Sequence, residues 1–64
     1  PKRDAESFLR PLLEHTHWDV RLMAAQAFRE REIHVTIEVL TDLIANEPEY
    51  LVRDVLQNLL EGQA

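Results

Sequence analysis

The most constraining feature of this chain is that it repeats itself. Shifted by 31 residues, Leu9, Leu12 and Leu13 fall on Leu40, Leu43 and Ile44. Shifted by 32, Trp18, Val20, Arg21, Met23, Ala24, Ala27 and Phe28 fall on Tyr50, Val52, Arg53, Val55, Leu56, Leu59 and Leu60. A period of this size is that of one supersecondary unit stacked on the next. The change of offset by one residue is a single insertion in the loop inside the unit, where repeats tolerate length changes. The 64 residues therefore read as one domain of two copies, about 4–31 and about 34–61.

Each copy reads as two amphipathic helices. Apolar residues recur at i, i+3, i+4, i+7 and i+8 in Ala5, Phe8, Leu9, Leu12, Leu13, in Val20, Met23, Ala24, Ala27, Phe28 and in Val52, Val55, Leu56, Leu59, Leu60. Val39, Leu40, Leu43 and Ile44 follow the same template. Strands are excluded because apolar and polar residues nowhere alternate over more than a few positions and turn glycines are missing. The fold class is all-α, two tandem antiparallel helix pairs with helices near 4–14, 17–30, 34–46 and 49–61. Asp4 is the expected cap of the first helix, and Thr16 with Asp19 forms a capping box for the second. Pro48 fits the first turn of the fourth helix and Gly62 the position just past its end. Pro11 removes a backbone donor inside the first helix and should bend it. The break between the second and third helices falls somewhere in 29–34. The expected core is Phe8, Leu9, Leu12, Val20, Ala24, Phe28, Leu40, Leu43, Val52, Leu56 and Leu59, with Ala24 and Ala27 at a close helix approach.

Charge narrows the possible partners. The net charge is −5, with residues 1–32 balanced and residues 33–64 carrying Arg53 against six acidic groups. A duplex or an anionic membrane needs clustered Lys and Arg, and the acidic half opposes both. No apolar stretch is free of charges, so neither a secretory signal nor a membrane span is read, and a soluble, cytoplasmic setting is the expectation. Pro1 in place of an initiator Met points to a processed or excised piece of a longer protein.

Chemistry-bearing patterns are sparse. His15, His17 and Asp19 have metal-ligand types, but three converging ligands are not in prospect and capping accounts for the string. Ser7 has no His and acid beside it, and no Gly-rich phosphate loop is present. No catalytic, cofactor or metal site is expected.

The run L-x-x-L-L-x(6)-V-R-x-x-A-A-x-A-F, at Leu9, Leu12, Leu13, Val20, Arg21, Ala24, Ala25, Ala27 and Phe28, resembles a HEAT repeat of the short, bilin-lyase type. Pro11 matches the proline that often kinks the first helix of such a repeat, and the second copy keeps Val52 and Arg53. The resemblance implies a scaffold, with an acidic residue ahead of the second helix pairing with the Arg of a neighbouring repeat. Glu14 and Asn46 are read at those places, which leaves the ladder incomplete.

In stacked helix pairs the second helices line the concave, binding side. That strip would be Arg21, Leu22, Ala25, Gln26 and Arg29 in copy one, continued by Arg53, Asp54, Gln57, Asn58 and Glu61. The expected partner contacts are Trp18, Leu22, Arg29 and Tyr50, together with Leu51, Asp54 and Gln57, because aromatic rings and amphipathic ends dominate binding energy. Leu22, Ile33, Ile37 and Leu51 lie outside the main stripes and mark where a neighbouring repeat or second subunit would pack. The function read is a non-catalytic protein-interaction or assembly module, its partner another protein, an adjacent domain or a second copy. The alternatives are an accessory or catalytic piece of a HEAT-containing enzyme such as a bilin-lyase-like protein and, further off, a helix-turn-helix DNA binder, which the missing basic recognition helix opposes.

Overall fold

Because the apolar stripes each need a neighbour, the helices pair and the pairs stack. The structure is a computed structural model and describes residues 2–63, with side chains from residue 4 onward. Helix α1 spans Lys2–Leu9 and runs into a 3-10 segment, Arg10–Glu14; α2 spans Trp18–Glu30, α3 Ile37–Asn46 and α4 Tyr50–Gln63. Among the described residues there is no strand. The second helices of the copies, α2 and α4, pack side by side, α3 packs on α4, and the 3-10 segment packs on α2.

Pro11 does more than bend the first helix. The α-helix stops at Leu9 and the chain continues as a 3-10 turn with Pro11 in its first two positions, where the missing N–H costs nothing. The caps differ from expectation by a residue or two. Helix α1 already contains Asp4 in its first turn, where the acid complements the dipole instead of capping. The N-cap of α2 is His17, with no side-chain bond, and Asp19 accepts only from the N–H of Val20. The Thr16–Asp19 box does not form, because Thr16 lies a residue too early. Helix α3 starts three residues later than read, capped by Thr36, whose hydroxyl accepts from the N–H of Val39. Pro48 precedes α4, whose first turn hangs on the carbonyl of Glu49, and Gly62 lies inside that helix.

The link between the copies has its own device. The N–H of Ile33 bonds the carbonyl of Phe28 and that of Glu32 bonds Arg29, closing α2 with Glu32 at φ 54°. This is a Schellman end, and it turns Ile33 back onto Phe28's layer so that both are buried in one cluster.

The core comprises Leu13, Ala24, Ala25, Phe28, Ile33, Val35, Leu40, Val52, Val55, Leu56 and Leu59. Ala24, Phe28, Leu40, Val52, Leu56 and Leu59 stand where expected, and Leu9, Leu12 and Leu43 pack half-buried against them. Phe8 is a correction: it is 72% exposed, because copy one has no neighbour on that side. Val20 is only half-buried and Met23 is exposed for the same reason. Ala25 and Ile33 are corrections in the opposite direction, buried where they were read as surface or neighbour-facing.

Candidate partner-binding surface

The site is built around one buried acid. Glu47 lies in the loop ahead of α4, its side chain 3% exposed against 13% for Arg21. Both carboxylate oxygens accept from Arg21 in a fork, Nε to Oε1 at 2.7 Å and Nη2 to Oε2 at 2.9 Å. Oε2 also accepts the N–H of Glu49. Arg21 then donates through Nη1 to the carbonyls of His15 and Thr16, and Arg53 donates through Nη1 to the carbonyl of Glu47. A planar guanidinium suits this, since it offers five donors in a fixed fork. The hydrogen bonds that Arg21 donates to Glu47, with the charges of Glu47 and Glu49, raise its pKa above the already high ordinary value, against the opposing pull of desolvation. The equivalent arginines of the two copies thus meet at one residue, which pins the N-terminal ends of α2 and α4 together.

The ladder that the sequence left incomplete therefore has its rung, with Glu47 in the acidic place instead of Asn46. The cue was an acid one position along, within the slack that the shifting offset already implied.

Trp18 and Tyr50 are the first residues of α2 and α4, each three residues ahead of an arginine that reaches Glu47. They are 45% and 66% exposed, and Leu51 beside Tyr50 is exposed too. The Glu47 network thus brings three of the expected contacts to one end of the molecule. The others are dispersed. Asp54 and Gln57 are exposed farther along α4, and Arg29 lies in the last turn of α2, lining a small hollow with Asn58 and Gly62. Leu22 is half-buried against the core. The basic-to-acidic strip is not continuous, because Ala25 is buried, Leu22 is half-buried and Glu47 pairs with Arg21.

A cleft of about 540 Å³ separates the 3-10 segment from α3, with Leu13, Val39 and Leu43 in its wall and the Arg21–Glu47 pair at its base. Near it the rings of His15 and His17 lie 5.4 Å apart, and Nδ1 of His15 accepts the N–H of His17. Among the described residues no group of three His, Cys, Asp or Glu side chains could hold a metal ion. No helix of the described residues is long and apolar enough to cross a membrane.

With this geometry in view, the comparison that decides the family is a match of the HEAT-repeats family model to residues 1–61. The chain belongs to the HEAT-repeat family. HEAT repeats commonly mediate protein–protein interaction and are typically non-catalytic scaffolds. No curated protein and no solved structure matches the chain. Within the HEAT-repeat frame, Arg21 and Glu47 are the inter-repeat rung, and the aromatic pair is what each repeat places just outside it.

Proposed function

We propose that this HEAT-repeat chain is a non-catalytic protein-binding module that engages its partner with the N-terminal ends of α2 and α4. The supporting observation is the exposure of Trp18, Tyr50 and Leu51 at the end fixed by Glu47. Large amphipathic rings held on rigid helix ends lose little entropy on binding and bury much area, as binding hot spots do. Asp54 and Gln57 along α4, Arg29 at the far end of α2 and the open edge of Leu22 would form the polar and outer parts of the contact. The setting that fits is a cytoplasmic protein partner. Duplex DNA fits poorly, since the second copy sets Arg53 against six acidic groups.

The test is affinity capture with the wild-type chain and with a Trp18→Ala, Tyr50→Ala, Leu51→Ser variant. The reading expects proteins retained by the first to be lost by the second, with unchanged helicity by circular dichroism. Equal retention by a folded variant would overturn it.

A further inference from the structure

Each copy packs its first helix on its own second helix, and the two first helices stand apart. The 3-10 segment rests on α2 and α3 rests on α4, while the 3-10 segment and α3 make little contact with each other. Pro11 is the local cause, since copy one presents tight 3-10 winding over Arg10–Glu14 where copy two presents a continuous α-helix over Ile37–Asn46. The gap between them is the cleft of about 540 Å³. Ligand pockets are commonly of this size, about 300–1,000 Å³.

The lining of the cleft is divided by chemistry. Leu13, Val39 and Leu43 form an apolar wall, with Val39 and Leu43 only half-buried. Arg10, Glu14 and Asp42 line it as well, and among the described residues their side chains make no ion pair and no hydrogen bond. Asp42 is engaged only through its backbone carbonyl, which accepts from Asn46. At the base, Glu47 is already paired with Arg21. His15 accepts at Nδ1 from the N–H of His17, which makes it the neutral tautomer protonated at Nε2. Two carboxylates therefore stand against one guanidinium, and the cleft carries a negative charge in excess beside its apolar wall. Unpaired charges are ordinary on an open surface. Here they share a concave surface with apolar side chains that nothing covers.

We infer that this cleft docks a basic segment of a protein partner, through an arginine or lysine side chain whose stem lies on Val39 and Leu43 and whose cation meets Glu14 and Asp42. The charge balance selects the sign, because an acidic segment would add to the excess. Long basic side chains bury their methylene stems along apolar surface and keep the charged head in a polar setting, which is how the lining is divided. A wholly apolar segment would strip water from the two carboxylates and give nothing in return. The surface includes none of Trp18, Tyr50 and Leu51, so this inference and the helix-end contact proposed above can fail separately.

The test is titration of the isotope-labelled chain with two blocked tripeptides, followed by amide chemical shifts. One is acetyl-Leu-Arg-Leu-amide, and the other carries neutral citrulline in place of the arginine. The arginine peptide should move the amides of Leu13–Thr16 and Val39–Asn46 and bind more tightly than the citrulline peptide. Glu14→Gln and Asp42→Asn should each weaken it by about two- to fivefold, as for an exposed charge pair, and together remove most of its advantage over citrulline. Arg10→Gln should strengthen it, because the competing cation is gone. The Trp18→Ala, Tyr50→Ala, Leu51→Ser variant should bind as the wild type does, and unchanged thermal melts by circular dichroism show that each variant is folded. No shift at the cleft amides, equal binding of the two peptides, or weakening by Arg10→Gln would each overturn the assignment. So would agmatine, a guanidinium without apolar flanks, binding as tightly as the arginine peptide.

Discussion

Glu47 is the residue at which the equivalent arginines of the two copies meet. It takes a fork from Arg21 and bonds the N–H of Glu49 with its side chain, and its carbonyl receives Arg53. Removing one partner of a buried pair leaves the other charge poorly solvated, so Glu47→Ala should cost about 3 kcal/mol. That is comparable to the whole net stability of a domain this small, and urea denaturation should find the variant largely unfolded at 25 °C. Arginine's part in the pair is insensitive to pH. A raised folded-state pKa gives stability that is present below the unfolded pKa and lost only above the folded one, and for Arg21 both lie beyond the accessible range. Glu32 is the opposite case, a side chain in a conformation that favours glycine. Since φ 54° costs an L-residue about 1 kcal/mol, Glu32→Gly should raise stability by roughly 0.5–1 kcal/mol, read as a higher melting temperature. Glu32 was not legible in the sequence, and Glu47 was legible only as an acid one position from the place the repeat offset gave. A buried acid looks like any loop glutamate, and a left-handed cap without Gly or Asn carries no composition signal.

The helices themselves were legible, and their ends were not. Stripe periodicity located all four because burial of one face is what stabilises short helices. Caps depend on single side chains, and here Thr36 caps α3 while α2 begins at His17 with no side-chain acceptor. His17→Ser should supply one and stabilise the chain by about 0.5–1 kcal/mol in thermal melts, and an unchanged midpoint would show that the end is satisfied already. Ile33 and Val35 escaped the reading because the linker has no period; the Schellman end, not a helix, turns them inward. Ala24 was legible as a close approach, since a small residue in an apolar stripe leaves room for a neighbouring backbone. It is fully buried, and Ala24→Leu should overpack that contact at about 1–3 kcal/mol, against a neutral effect if the site had space.

Across the whole molecule the repeat predicts what stacks but not which copy is left uncovered. Phe8 was read as core from its place in the apolar stripe, which Met23 shares in α2, and both are exposed because no described helix packs on that side of copy one. The same asymmetry sets the distribution of stability. Helix α1 joins the core through Ala5 and Leu9 while Phe8 faces water, whereas α2 and α4 share the buried layer of Ala24, Ala25, Phe28, Val52, Val55 and Leu56. Elements with few buried apolar contacts open locally at a fraction of the global free energy. Native-state hydrogen exchange should therefore show the amides of α1 opening well below the global value, and those of Ala24–Phe28 and of Val55–Leu59 exchanging only through global unfolding. Equal protection in α1 and α2 would mean that copy one closes its own flank, and the exposed Phe8 and Met23 would then have to be tolerated by a fold that needs no neighbour there.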